Sequence, residues 1–384
     1  MIRVLFVCSI LGLFSSTVYL LLALIAARRF RRESGSERQP VTELPFVSVL
    51  KPLHGMEPML EGNLESFFRQ DYPKFEIVFG ARHKDDPALR IVEGLRLKYP
   101  EVKTSVVLSG EPEYPNAKIF ALEKMVSAAG MYLVITDSDV HVSPDCLEQV
   151  VTPLLDSAVG VVTCLYRGVA AGGFWSVLEA LGMSIEMTSG VLIANMLEGM
   201  RFALGPTMAT RRDVLESIGG IRSLGSYCAD DYLLGKLAFH LGKRVVLSRH
   251  FIDHVAMNTS ARASLAHQVR WMRSTRFSRH AGHIGTGLTY AMPFGLLGLF
   301  TGTALYGSPV GGIFLAWAFL NRMLQSVAIG WAVIGDPQAL RFCWLYPLRD
   351  LLGFFVWCAS FAGDEITWRN ERYRLVTDGK MVRL

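Results

Sequence analysis

The chain has 384 residues, enough for one or two domains. Hydrophobic residues make up 51% and charged ones 19%, and mean hydropathy is +0.31, which excludes an ordinary soluble enzyme and points to several membrane spans. The net charge of +5 suits anionic lipid or a pyrophosphate, and the lack of a dense basic stripe interleaved with aromatics argues against nucleic acid as a partner.

Val4–Ala27 is a nearly unbroken apolar run, long enough to cross the hydrocarbon core. Arg28, Arg29, Arg31 and Arg32 follow it at once. A cleaved signal peptide carries its charges before the apolar stretch, so this run is expected to be an anchor with its C-terminal end in the cytoplasm. Ser34–Leu44 is polar and aperiodic and reads as a linker. From Phe46 the pattern alternates. Strands are expected at Phe46–Leu53, Phe75–Arg82, Thr104–Gly110 and Met131–Asp139, and helices at Met59–Gln70, Pro87–Lys98 and Lys118–Ala129. This order implies a parallel sheet covered by helices, with ligands bound outside the carboxyl ends of the strands.

Three carboxylate groups fall at or just past such positions. Lys84-Asp85-Asp86-Pro87 offers a carboxylate to a base or ribose, or is only a capped helix start. Asp137-Ser138-Asp139 follows an apolar strand. Two carboxylates one residue apart can share a hard divalent cation that also takes diphosphate oxygens, though a capped turn has the same composition. Ala229-Asp230-Asp231-Tyr232 can supply a general base, or can simply favour a helix N-terminus.

The segment His267-Gln268-Val269-Arg270-Trp271 places His267, Arg270 and Trp271 on one helical face. Arg270 can neutralise phosphate oxygens and Trp271 can stack on a ring. Arg276 and Arg279 read instead as a basic helix face on anionic lipid. Phe174–Met200 is apolar but interrupted, and is expected either in the membrane interface beside an acceptor or in a core. Leu288–Tyr306 and Val310–Ile334 are further span candidates. Arg322 in the second should face protein. Phe342–Ala362 is interrupted by Arg349 and Asp350. The six cysteines form no CxxC pair, so a zinc site is not expected and all are read as reduced.

Taken in order, these features resemble the inverting GT-A glycosyltransferases whose pattern is D, DxD, (E/D)D and (Q/R)xxRW. They are most similar to the ceramide glucosyltransferase family with its related bacterial hopanoid glycosyltransferases. VSVLKPLHG from Val47, NLESFF from Asn63, DYPKFEI from Asp71, NAKI from Asn116, TDSDV from Thr136, ADDY from Ala229 and ITWRNERYRL near the C-terminus carry the resemblance over almost the whole chain. It implies an α/β GT-A nucleotide-sugar-binding domain with transmembrane helices at both ends. The expected divisions are an anchor at 1–30, a linker at 31–44, the transferase domain at 45–285, membrane segments at 286–365 and a basic tail at 366–384.

By the same resemblance Asp231 is the catalytic base. Asp86, Lys118, Asp137, Arg270 and Trp271 bind the nucleotide-sugar. Asp137 and Asp139 hold Mg²⁺ or Mn²⁺. Asp230 has no settled role, and neither have His267 and Gln268, because the motif's first position holds His267 and Gln268 follows it. The implied partners are a UDP-sugar donor, a membrane lipid acceptor (ceramide or a hopanoid polyol) and the bilayer. The implied site is a bacterial inner membrane with the catalytic domain in the cytoplasm. A polysaccharide synthase and a non-catalytic scaffold of the same fold are the alternatives.

Overall fold

The computed structural model describes residues 1–32, 43–368 and 371–384. Residues 33–42 of the expected linker, and residues 369–370 of the tail, lie outside them, while Arg31 and Arg32 belong to the first helix rather than to a linker. Contacts divide the chain into two units. A membrane unit holds the N-terminal helix with Gly172–Leu197 and Asn258–Thr367, and a sheet unit holds the other described residues.

The sheet unit carries an eight-stranded mixed sheet. In chain order its strands are β1 (Val47–Pro52), β2 (Phe75–Ala81), β3 (Lys103–Leu108), β4 (Tyr132–Thr136), β5 (Val140–His141), β6 (Val159–Ala170), β7 (Thr207–Arg211) and β8 (Arg244–Ala256). Their spatial order is β3-β2-β1-β4-β7-β6-β8-β5. All of β1 is buried, as a central strand requires, and it pairs in parallel with β2 and β4. The half-exposed β3 closes one edge. The expected parallel pairing therefore holds for the first four strands and again between β6 and β8. β7 runs antiparallel to both β4 and β6, which makes the sheet mixed.

That reversal matters for placement. β7 begins where β4 ends, with Thr207 opposite Thr136, so the Gly205–Pro206 turn lies beside Asp137. A helix over Ala117–Ala128 packs on β2 at Gly80, where a Cβ would meet Met125 Sδ at 2.3 Å. Its N-terminus is capped by Asn116, whose side chain accepts from Ile119 N–H at 3.1 Å.

The helix over Asp230–His240 crosses the backbone at Phe202–Ala203 through Gly235. A Cβ there would stand 2.4 Å from Ala203 N and Phe202 C, and backbone cannot step aside as a side-chain tip can. Gly235→Ala is expected to destabilise the sheet unit by about 1–3 kcal/mol. A thermal unfolding curve that matches the wild type would refute this.

Three helices among the described residues are long and apolar enough to cross a membrane: Ile2–Arg32, Gly173–Glu198 and Ser308–Trp331. Met292–Tyr306 is a shorter apolar helix. The first runs on through its terminal arginines, which the C-terminal end of the helix dipole favours. The interrupted stretch from Phe174 is one long helix with a π-helical turn at Gly182–Met187. Leu178, Leu181 and Ile185 on it pack with Ala339, Leu345 and Tyr346, so much of this stretch is the core of the membrane unit. The third C-terminal candidate appears as Tyr346–Ser360, whose 15 residues fall short of a span. All six cysteines are free.

Candidate active site

The carboxylates of the sheet unit gather at one end of the sheet. Asp137-Ser138-Asp139 leaves β4, and each member of the triplet is held differently. Asp137 Oδ1 lies 2.5 Å from Lys118 Nζ, which comes from the first turn of the Asn116-capped helix. The Ser138 hydroxyl donates to Glu57 at 2.6 Å. Asp139 Oδ2 lies 3.1 Å from His254 Nε2 of β8. Asp139 Oδ1 is buried and accepts no hydrogen bond among the described residues. An acceptor left open in this way suits a cation. Among the described residues no three His, Cys, Asp or Glu side chains gather to hold a metal ion. An ion held by Asp137 and Asp139 would therefore take its remaining ligands from water and diphosphate oxygens, as small hard cations commonly do.

Burial and neighbouring charge act in opposition on Lys118, Asp139 and Lys51. Burial disfavours the Lys118 ammonium, but Asp137 and Asp230 outweigh it and hold the group above its ordinary range. Burial likewise opposes ionisation of Asp139, and its own contact with His254, helped by the nearby Lys51 and Lys118 charges, overcomes it and draws the carboxyl down. Lys51 is fully buried in β1 and donates to the Asp137 carbonyl at 2.6 Å. Burial pushes its ammonium down to about 7, against the pull of Asp139 and Asp137.

Asp231 opens the Asp230–His240 helix. Its Oδ2 accepts from Gly205 N–H at 2.7 Å and its Oδ1 from Tyr232 N–H at 2.8 Å. Glycine at 205 lets the carboxylate come this close, since a Cβ would stand 3.0 Å from Oδ2. Burial, then the neighbouring Asp230, push the Asp231 carboxyl up to about 6. Asp230 is also raised, first by burial, and its Oδ1 accepts from Asn116 Nδ2 at 3.2 Å.

Asp86 lies in the same unit but is tied to loop and helix backbone. Both its oxygens stand 3.1 Å from Gly55 N, and Oδ1 accepts from Ala88 N–H at 2.9 Å. It therefore caps a helix and pins the loop after β1. Beside that loop a small cleft is lined by Pro52, Leu53, His54, Arg82, Gly110 and Lys118, at the carboxyl ends of β1, β2 and β3.

His267, Gln268, Arg270 and Trp271 stand on the helix Ala261–Ser278 of the membrane unit. Gln268 is buried and donates to Ser264 Oγ at 2.9 Å, whereas the His267 ring is partly exposed. The partly exposed position at the head of the motif therefore belongs to His267. Arg276, expected on lipid, donates to the Gly363 carbonyl at 2.8 Å.

Lys51, Glu57, Asn116, His254 and Gly205 were not singled out as site residues from sequence. Lys51 had a signal, a lysine inside an otherwise apolar strand. Asn116 heads the NAKI stretch. His254 had none, because its contact depends on how β8 is placed.

The model of glycosyl transferase family 21 matches residues 8–381. Ceramide glucosyltransferase 1 of Caenorhabditis elegans is 25% identical over 349 residues, covering 89% of this chain and 74% of that protein. The ceramide glucosyltransferase of Komagataella phaffii is 39% identical over 114 residues, 28% of this chain and 22% of that protein. Among solved structures, a mannosyltransferase from Pyrobaculum calidifontis in complex with GDP-Man and Mn²⁺ superimposes with a TM-score of 0.56 at 18% identity, covering 92% of this chain and 99% of that one. That likeness shows a GT-A-like fold. With the family match running nearly end to end, the chain belongs to glycosyl transferase family 21, in a ceramide glucosyltransferase-like group, and is a hexosyltransferase.

Proposed function

We propose that the chain moves a hexose from a UDP-sugar onto the hydroxyl of a membrane lipid with inversion at the anomeric carbon. The observation that carries this reading is Asp231. Its carboxylate is raised to about 6 and fixed by two backbone N–H groups, in the same unit as Asp137, Asp139 and Lys118. A carboxylate poised near neutrality is suited to take the proton of an attacking hydroxyl.

In this reading Asp231 accepts the acceptor's proton as its oxygen attacks. Lys118 meets the negative charge of the departing diphosphate, and Arg270 and Trp271 are assigned to donor binding on the motif they share with the family. Asp86 orders the loop beside the nucleoside. Asp137 and Asp139 would hold a Mg²⁺ or Mn²⁺ ion, which when bound supplies Lewis-acid stabilisation of the nucleoside diphosphate. The Mn²⁺ bound in the Pyrobaculum calidifontis mannosyltransferase complex supports metal use, and the ceramide glucosyltransferases among the relatives support a lipid acceptor.

The favoured donors are UDP-glucose and UDP-N-acetylglucosamine, and the favoured acceptors are ceramide and hopanoid polyols. The apolar helices and the four arginines at the end of the first one support an inner-membrane protein whose sheet unit faces the cytoplasm. Purified protein should be incubated with each UDP-sugar, Mn²⁺ and extracted membrane lipid. A lipid product heavier by one hexose or N-acetylhexosamine is expected. Release of UDP with no lipid adduct for any donor would overturn the reading.

A further inference from the structure

Glu179 lies in the helix stretch Gly173–Leu181 and is 2% exposed. A carboxylate buried to that degree needs donors around it. Three side chains of the membrane unit supply them. The Ser264 hydroxyl donates to Oε2 at 2.6 Å and Asn258 Nδ2 to Oε1 at 3.0 Å. His267 Nδ1 stands 2.7 Å from the same Oε1. Ser264 and His267 are three residues apart on the helix Ala261–Ser278, so one carboxylate grips one face of it.

An ionised carboxylate only accepts hydrogen bonds, so His267 Nδ1 must carry a proton, and Nε2 is turned to the far side of the ring. The same ring lies against Trp271, with centroids 4.4 Å apart and planes at 51°. A chain of direct contacts thus runs from Glu179 through His267 to Trp271.

We propose that Glu179 is a positioning residue for nucleotide-sugar binding. It fixes the Nδ1–H form of His267, and through that ring it sets where Trp271 stands. The inference rests on the reading of Arg270 and Trp271 as donor-binding residues. It also accounts for the departure from (Q/R)xxRW. Glutamine and arginine present donors in every state, whereas histidine donates toward Glu179 only with the proton on Nδ1, and a buried carboxylate enforces that state.

The test uses the full chain in nanodiscs, with UDP titration in Mn²⁺ and steady-state kinetics on UDP-glucose. Glu179→Gln keeps the shape and removes the charge. It is expected to weaken UDP binding and raise the donor KM by about ten- to a hundred-fold, the size of a lost charge-assisted hydrogen bond. The acceptor KM and the melting temperature should stay near wild type. His267→Leu should match that loss, the double variant should add little to either single one, and His267→Gln should recover most of it. Additive losses, or equal damage to donor KM, acceptor KM and melting temperature, would overturn the proposal in favour of a structural role. A wild-type protein that binds UDP but transfers no sugar sinks the proposed reaction, and the UDP titration of Glu179→Gln still decides this pairing. Failure of the wild type to bind UDP overturns both.

Discussion

Asp231→Asn is expected to lower sugar transfer by about 10²–10⁴-fold while UDP binding stays within about threefold of wild type. The amide has nearly the same shape as the carboxylate and keeps one acceptor oxygen for Gly205 or Tyr232 N–H, so the helix start should survive. What it cannot do is take up the proton of the attacking hydroxyl. The pH profile gives a second readout. The carboxyl is pushed up to about 6 by burial and by Asp230, and a base works only when deprotonated. Turnover should therefore be flat above that value and fall as the pH drops through it, by roughly tenfold per unit well below. Asp230 and Asp231 titrate as neighbours, so the observed midpoint belongs to the pair. The residual activity of Asp231→Asn should lack this acidic limb. A variant retaining more than about a tenth of the wild-type rate would mean that another group accepts the proton.

How much of this site the sequence discloses depends on which interactions are local. The first four strands are apolar runs separated by amphipathic stretches, and the helices between them begin and end within one or two residues of where periodicity puts them. The carboxylates are legible by type and by position after a strand. The direction of β7 is not, because it is set by its neighbours β4 and β6 rather than by its own residues. That direction brings Gly205 to Asp231, so neither Gly205 nor His254 of β8 can be singled out from a linear reading. In the membrane unit, acidic residues that seem to interrupt the stretch from Phe174 do not break the helix. Glu179 is met by His267, and Glu186 by Arg349 at 2.6 Å. A charge inside an apolar run reads as a break only until its partner, far away in the chain, is known.

The same principle governs the largest expected effect on stability, at Asp350. Its Oδ1 lies 3.1 Å from Arg322 Nη1, and its Oδ2 accepts from Ala291 and Met292 N–H at 3.0 and 2.8 Å. Both side chains are almost wholly buried, at 2% exposure for Arg322 and 1% for Asp350. One carboxylate thus ties Tyr346–Ser360 to Ser308–Gln325 and to the start of Met292–Tyr306, where negative charge suits the helix dipole. Removing one partner of a buried pair costs about 3–5 kcal/mol, because it strands the other charge.

The two removals are not equivalent. Arg322→Met leaves a carboxylate that still has two backbone donors and can take up a proton. Asp350→Leu leaves a guanidinium that cannot shed one, held only by Asn321 Oδ1 and the Thr289 carbonyl, together with two unpaired backbone N–H groups. Asp350→Leu should therefore be the more damaging, and it should largely fail to give a monodisperse protein in detergent. Arg322→Met should fold with a clearly lowered melting temperature. The double variant should recover part of what Asp350→Leu loses, because the stranded cation is gone while the two N–H groups remain uncapped. Fluorescence-detected size exclusion with thermal challenge orders the three. A melting temperature for Asp350→Leu at or above that of Arg322→Met would show that the cation finds other partners.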